Sequence, residues 1–212
     1  MSSSGPSGLE TGEGRTGGGR GRWDRGRSET ERRERTYEGI VEAASAVVAL
    51  RGVRGATANE IIEVAGVGRN TFYEHFETSE AAVGEAVRRA VQEMKSAVTA
   101  AVGAARTPRE RLRALSSAWL SELSRRTTLL AAVCDGASQE RASIVRELET
   151  ELRAAIDFGR RSGALSLAAD PARLACVVGA FIGAVEYLAA HPTSDIRTMS
   201  EALADVTVRA FR

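Results

Sequence analysis

From Thr36 to the C-terminus, apolar residues recur with the period of an α-helix, and this recurrence most constrains the fold. Ile40, Ala44 and Val48 lie four residues apart and would share one helix face. No stretch alternates apolar and polar residues between hairpin turns, so strands are not expected. The pattern predicts an all-α fold of about nine helices: three short helices within 36–76, then helices near 79–103, 108–126, 128–134, 138–161, 171–190 and 195–211.

Capping residues mark several helix boundaries. Thr107-Pro108-Arg109-Glu110 combines a capping box with proline at the first helical position. Asp170-Pro171 repeats the order of cap and proline, and Gly163 follows two arginines where a helix would end. These signals are local, so they predict helix ends independently of the tertiary fold.

Composition and charge exclude several classes of protein. The net charge of +1 argues against a globally basic, histone-like protein. Cys134 and Cys176 are far apart and lack metal-ligand spacing, so neither a disulfide framework nor a zinc site is expected. The N-terminus lacks the apolar core of a signal peptide, and the uncharged apolar stretch 174–185 is too short to cross a bilayer. We therefore expect a cytoplasmic protein without a membrane partner, metal or cofactor.

Residues 1–35 differ in composition from the rest of the chain. Nine of the 21 glycines fall within the first 26 positions, and aliphatic residues are almost absent. Such a segment buries too little apolar surface to offset its ordering entropy, so we predict a disordered arm. Its eight arginines make it basic. Two interpretations stay open: a solvated tail without function, or an arm that follows a nucleic-acid backbone.

The segment from Thr57 to Phe76 carries the clearest functional signal. An amphipathic helix begins at Thr57 and ends at Gly66, where a tight turn requires a residue that tolerates positive φ. In the short second helix, Phe72 and Phe76 are spaced to face the core. The outward side is left to five residues: Arg69, Asn70, Thr71, Tyr73 and His75. This arrangement predicts a helix-turn-helix, whose second helix enters the DNA major groove.

Several short motifs occur in order across this part of the chain: Ile40-Val41-Glu42-Ala43-Ala44, Gly52, Thr57, Ile61, Ala65-Gly66-Val67, Thr71-Phe72-Tyr73-Glu74-His75-Phe76 and Glu80. Together they closely resemble the TetR family of bacterial regulators. The resemblance implies a DNA-binding domain, here residues 36–80, and a C-terminal domain for ligand binding and dimerisation, here residues 81–212. It also implies a homodimer that binds a palindromic operator in double-stranded DNA and a small-molecule effector that weakens this binding.

The resemblance implies roles for matched residues. Thr57 matches a threonine that contacts a phosphate, although a plain helix cap is the alternative. Thr71 and Tyr73 match positions that touch bases or phosphates. His75 matches a position often used for a phosphate, and an exposed imidazole without a role is the alternative.

The chain also departs from the family pattern near these residues. Ser79 stands where a lysine commonly holds a phosphate, and Asn59 stands where an arginine is frequent. Arg69 and Asn70 open the second helix, where Arg–guanine and Asn–adenine pairs are possible. We therefore expect Asn59, Arg69 and Asn70 to contact DNA.

The charge of residues 36–80 opposes DNA binding. Three arginines stand against seven glutamates, a net charge of −4, whereas phosphate contacts supply most non-specific affinity. We expect the basic arm to replace the missing phosphate contacts, with Arg32, Arg33 and Arg35 nearest the duplex.

Apolar stripes through residues 81–212 usually mark a helical core. In the family resembled, this core is hollow, and few charged residues lie on the inward phases, so we expect a largely apolar effector. Four residues are predicted to line its cavity: Trp119, Cys134, Phe158 and Tyr187.

The last two predicted helices resemble the four-helix dimer interface of the family. The helix near 171–190 is apolar nearly all round, and the helix near 195–211 carries a 3-4-3-4 apolar seam. The predicted interface residues are Val178, Phe181, Ile182, Val185, Met199, Leu203 and Val206. The alternative is that both helices complete the core of one subunit.

Two functions stay open at this stage. One is a ligand-responsive repressor, and the other is an architectural or cell-division DNA-binding protein of the same fold without a small-molecule switch. An enzyme is not expected, and no catalytic residues are assigned, because the chain has two histidines and lacks a phosphate loop or nucleophile elbow.

Overall fold

A computed structural model describes residues 20–135 and 138–212, with side chains described from Ser28 onward. Over these ranges the chain forms nine α-helices and no strands, which confirms the all-α prediction. The helices are α1 (Arg20–Arg51), α2 (Ala58–Ala65), α3 (Arg69–His75), α4 (Ser79–Gly103), α5 (Pro108–Arg125), α6 (Thr127–Cys134), α7 (Gln139–Arg161), α8 (Pro171–Ala190) and α9 (Ile196–Phe211).

Helix α1 begins at Arg20, whereas we predicted disorder up to residue 35. Residues 28–35 are mostly glutamate and arginine, which favour helices, and Glu31 and Arg35 have the i, i+4 spacing of a stabilising pair. The helix propensity of these residues thus extends α1 through a segment that has no apolar face. The described chain divides into two compact units between Thr36 and Tyr37. The rest of the predicted arm, residues 1–19, lies outside the described residues.

A small core holds α1, α2 and α3 together. It contains the buried side chains of Ile40, Val48, Ile61, Phe72 and Phe76. The first two turns of α4 complete this core through 82–86, and the later turns of α4 join the larger C-terminal core. Helix α4 is therefore common to both cores.

The C-terminal core is built around α5, which packs against α4, α6, α7, α8 and α9. Its largest fully buried side chains include Trp119, Phe181 and Phe211. Helix α7 ends at Arg161, and Gly163 (φ +73°) lies in the turn that follows, where its position after two arginines predicted the end of a helix. The chain then returns so closely that a Cβ on Gly159 would lie 2.6 Å from Leu165 Cδ1.

Helix α8 is longer than the uncharged stretch read from the sequence. Among the described helices, it alone is long and apolar enough to cross a membrane by length and composition. Its large side chains, including Leu174, Val177 and Phe181, are buried in the C-terminal core. Packing against α5, α7 and α9 therefore accounts for the apolar character of this side of α8.

Candidate nucleic-acid interface

Helix α2 begins with a complete capping box. The backbone N–H of Glu60 donates to Thr57 Oγ1 (3.4 Å), and the backbone N–H of Thr57 donates to Glu60 Oε2 (3.2 Å). The Thr57 hydroxyl also donates to Glu60 Oε2 (2.9 Å). The bond that the Glu60 carboxylate accepts from the Thr57 backbone, followed by the bond from the Thr57 hydroxyl, lowers the pKa of Glu60. Thr57 therefore acts as a helix cap, and its exposed side chain lies on the surface that carries Asn59.

A glycine turn sets the direction of α3. Gly66 has φ +65°, the left-handed conformation that favours glycine, and the Val67 N–H donates to the Ile62 carbonyl (3.3 Å). Val67 packs against the small core. Helix α3 then begins at Arg69 after Gly68.

Two phenylalanines anchor α3 to the small core. Phe72 is fully buried, Phe76 is buried, and Tyr37 stacks on Phe76 with ring centroids 5.2 Å apart. The opposite side of the helix is polar: Arg69, Asn70 and Tyr73 are exposed. Thr71 and His75 are half-buried, so the structure places all five predicted residues on or beside the outward side of α3.

The arginines in and beside the helix-turn-helix differ in whether a carboxylate already pairs with them. Arg51 is paired with Glu60 (3.4 Å), and Arg54 is paired with Asp135 (3.0 Å). Arg69 has no ion-pair partner within the described ranges, and its guanidinium carbon lies 5.9 Å from the centroid of the Tyr73 ring. This cation–π geometry joins Arg69 and Tyr73 on one exposed surface.

The start of α4 shows what replaces the usual lysine. Ser79 is half-buried, and its hydroxyl donates to Glu80 Oε2 (3.4 Å). Hydrogen bonds from the Glu80 backbone N–H and the Thr78 hydroxyl lower the pKa of the Glu80 carboxyl. The Glu80 carboxylate therefore lies at the N-terminus of α4, a feature that the sequence analysis did not predict.

A polar cluster behind α3 was also missed. Tyr37 forms a hydrogen bond with Glu85. The pKa of Tyr37 is raised mainly by burial and, to a smaller extent, by its hydrogen bond to the Glu85 carboxylate. Arg89 Nη2 donates to Glu38 Oε1 (2.8 Å). His75 lies against the same tyrosine, with ring centroids 6.1 Å apart. Extending the apolar phase of α1 back from Ile40 would have indicated that Tyr37 faces inward.

The four predicted effector residues do not surround one cavity. Trp119 is buried in the C-terminal core, and Phe158 is half-buried with the Arg111 guanidinium carbon 4.8 Å from its ring centroid. Cys134 is exposed, and Tyr187 is half-exposed and stacked on a neighbouring histidine. The described chain has surface grooves beside α5 and α9, and one of them, between α4, α5 and α9, has a volume of about 510 Å³. None of the four residues lines these grooves. Helical spacing predicts which side of a helix is buried, but not whether a void exists beside it.

The predicted dimer residues need a larger correction. Val178, Phe181, Ile182, Val185 and Leu203 are all buried inside the subunit, so they are not free to contact a partner. Met199 is half-buried, whereas Val206 is 47% exposed. The exposed residues of α8 are mostly small, and the larger ones among them are Arg173, Glu186 and Tyr187. The small ones are Ala172, Ala175, Cys176, Gly179 and Gly183. The large aliphatic side chains and Phe181 fill the subunit core because they bury more apolar area, and most of the small residues are left outside.

Comparison with known proteins identifies the N-terminal region. Residues 40–85 match the family model described as bacterial regulatory proteins, tetR family. No curated protein matches the chain in sequence.

Solved structures share the fold at low sequence identity. FadR from Bacillus subtilis, in complex with stearoyl-CoA, is 19% identical with a TM-score of 0.69, covering 83% of this chain and 100% of that one. SmeT, the repressor of the Stenotrophomonas maltophilia multidrug efflux pump SmeDEF, is 24% identical with a TM-score of 0.67, covering 82% and 89%. Residues 40–85 of this chain therefore form the DNA-binding domain of bacterial regulatory proteins of the tetR family, and the rest of the chain shares its fold with the solved structures.

Proposed function

We propose that this protein is a dimeric repressor that binds a palindromic DNA operator and is released by a small, largely apolar effector. The observation that carries the proposal is the geometry of α3. Buried Phe72 and Phe76 hold a short helix whose opposite side presents hydrogen-bonding side chains to solvent. A rigidly anchored polar helix is what major-groove recognition requires.

In this proposal, Arg69 and Asn70 read bases at the start of α3. An arginine can pair with guanine O6 and N7, and an asparagine with adenine N6 and N7. Stacking on Tyr73 limits the freedom of the Arg69 side chain and so favours a defined contact. The surrounding residues contact bases or phosphates: Thr57, Asn59, Thr71, Tyr73 and His75.

Phosphate binding needs a contribution from the arm. Arg51 and Arg54 are already paired with carboxylates, and Glu80 occupies the start of α4. In the described part of the arm, Arg32, Arg33 and Arg35 are exposed. We propose that these guanidinium groups supply phosphate contacts that the helix-turn-helix lacks.

For dimerisation, the exposed side of α8 replaces the residues first predicted. A Cβ added at Gly179 or Gly183 would meet nothing within 4 Å, so the subunit itself does not require glycine at either position. Glycines one turn apart allow two helix backbones to approach closely. We propose that α8 packs there against α8 of a second copy, with Val206 of α9 at the edge.

Helix α6 offers a path from effector to DNA. Leu129 and Val133 belong to the C-terminal core. On the other side of α6, the Thr128 and Ser45 hydroxyls hydrogen-bond (2.5 Å), and Thr128 Oγ1 also donates to the Ser45 carbonyl (3.2 Å). Because α6 is tied to both cores, a shift of α6 on effector binding would move α1 and change the spacing of the two α3 helices.

The named neighbours support an apolar effector and repression. The B. subtilis FadR structure holds stearoyl-CoA, which carries a long apolar chain, and SmeT is a repressor. The C-terminal core of this chain is likewise formed almost entirely of apolar side chains.

Footprinting on DNA that flanks the protein's own gene tests the proposal. We expect two protected half-sites about one DNA turn apart, loss of protection with Arg69→Ala/Asn70→Ala, and weaker protection with stearoyl-CoA or stearate. Ser143→Ala, an exposed change on α7, is the matched control. Protection that survives the double substitution would contradict the assignment of α3.

The packing of the C-terminal core favours a second candidate, an architectural DNA-binding protein of the same fold without a switch. Trp119 is 1% exposed in the C-terminal core, and it lines none of the four surface grooves found in the described chain. Such a protein would protect many dispersed sites and would not respond to any effector. Genome-wide occupancy with and without stearate distinguishes the two functions.

A further inference from the structure

Two buried nitrogen donors in the described chain have no hydrogen-bond partner: Trp119 Nε1 and Arg111 Nε, both on α5. Trp119 is 1% exposed. Buried polar groups in folded proteins are nearly always hydrogen-bonded, and a buried donor without an acceptor is costly. The indole N–H therefore needs an explanation that packing alone does not provide.

Other buried polar side chains in the same core are satisfied locally. Ser116 Oγ donates to the Leu112 carbonyl (2.9 Å), and Thr207 Oγ1 donates to the Leu203 carbonyl (2.8 Å). Serine and threonine can reach the carbonyl of the preceding turn, whereas an indole N–H lies too far from its own backbone. An acceptor for Trp119 has to come from outside α5.

The two unpaired donors lie on one stripe of α5. Arg111, Leu115 and Trp119 follow one another at four-residue spacing, about 12 Å from end to end along the axis. The Arg111 guanidinium lies over the Phe158 ring rather than beside a carboxylate. The stripe thus presents donors toward apolar surroundings, and within the described chain it lacks acceptors for them.

We propose that Trp119 is an effector-binding residue whose indole N–H donates a hydrogen bond to a carbonyl-type oxygen on an otherwise apolar molecule. The inference rests on the proposed function, because it names the chemical class of the effector. A hydrocarbon without an acceptor cannot satisfy the indole. Binding requires core side chains to move, since Trp119 lines none of the grooves described.

Acetophenone and isopropylbenzene test the inference, because they differ mainly by an oxygen in place of a methyl group. The affinity ratio of the two compounds is measured by calorimetry in the intact protein and in Trp119→Phe. We expect the preference for acetophenone to fall by about tenfold in Trp119→Phe, the value of roughly one hydrogen bond. Leu123→Met, a volume-conserving core change, is the control and should leave the ratio unchanged.

A second measurement does not depend on any change at Trp119. In Trp23→Phe protein labelled with ¹⁵N-tryptophan, the Trp119 indole proton should shift downfield with acetophenone and not with isopropylbenzene. An unchanged ratio in Trp119→Phe, or failure of acetophenone to bind or to shift this proton, would overturn the inference. If the ratio and the proton respond but operator affinity does not, the Trp119 site stands and effector release fails. If acetophenone weakens operator binding but neither the affinity ratio nor the indole proton responds, effector release stands and the Trp119 site fails.

Discussion

Helices α3 and α8 show how differently one kind of sequence reasoning performs in two regions of the molecule. In α3, the apolar spacing of Phe72 and Phe76 correctly indicated which side is buried. In α8, the same reasoning selected Phe181 and Ile182 for a partner subunit, whereas both are buried within the subunit. A mostly polar helix has one possible inward side, but a helix that is apolar all round has several.

Residue size resolves the ambiguity in α8. Its large aliphatic side chains and Phe181 point into the C-terminal core, whereas alanine, glycine and cysteine are left on the exposed side together with Tyr187 and two charged residues. Burying a large side chain removes more apolar area from water, so the large residues gain most from the subunit core. In the dimer that we propose, the small exposed residues of α8 rather than the large buried ones are expected to contact the partner subunit.

The largest expected effect separates the two sides of α8. Phe181→Arg would bury an unpaired charge and should cost about 4 kcal/mol or more of unfolding free energy. Gly179→Arg, on the exposed side, should leave a folded subunit and abolish the dimer. Chemical denaturation and sedimentation measure the two outcomes. A stable, folded monomer from Phe181→Arg would restore the first interface prediction.

Adjacent residues of α3 provide the next test. Phe72→Ala should cost about 3–5 kcal/mol of unfolding free energy because it empties the small core. Tyr73→Ala should change stability by less than about 0.5 kcal/mol and still weaken operator binding by about tenfold or more. Thermal denaturation and a gel-shift titration distinguish them. Equal losses of stability would mean that Tyr73 is also a core residue.

Replacing Arg32, Arg33 and Arg35 with alanine should have an intermediate effect on DNA binding. The slope of log affinity against log salt should fall by roughly 0.9 for each phosphate that the arm no longer neutralises. Replacing Glu29, Glu31 and Glu34 with glutamine is the matched control and should not reduce the slope. A slope that stays constant in the alanine variant would assign all phosphate binding to the helix-turn-helix.

The smallest effect concerns the two capping boxes, one at the start of α2 and one at the start of α5. Hydrogen bonds from the Thr57 backbone to Glu60, and from the Arg106 and Thr107 backbones to Glu110, hold both pKa values below the ordinary 4.5. Their stabilising contribution is present above pH 4.5 and is lost as the pH falls through the lower, folded-state pKa values. Glu60→Gln/Glu110→Gln should therefore flatten the loss of thermal stability below pH 4.5. If the double variant loses thermal stability below pH 4.5 as steeply as the unchanged protein, other carboxylates are responsible for that loss.

The bounds of α4 to α9 could be predicted to within one residue, because caps such as Thr107 and Asp170 act over a few positions. The start of α1 could not be predicted from burial alone, since arginine and glutamate propensity extends this helix to Arg20. The Tyr37–Glu85 contact and the Glu38–Arg89 ion pair join residues about 50 positions apart. No local pattern specifies such pairs.

The sequence by itself determined the elements: where most helices start and stop, the glycine turn at Gly66, and the polar outward side of α3. Those features depend on backbone conformation and on neighbours within about four residues. Only the tertiary structure decided which side of α8 is exposed and that the Trp119 indole is buried without an acceptor among residues 20–135 and 138–212. Both depend on how side chains from distant helices compete for the same interior volume, and that competition is settled only when the helices pack together.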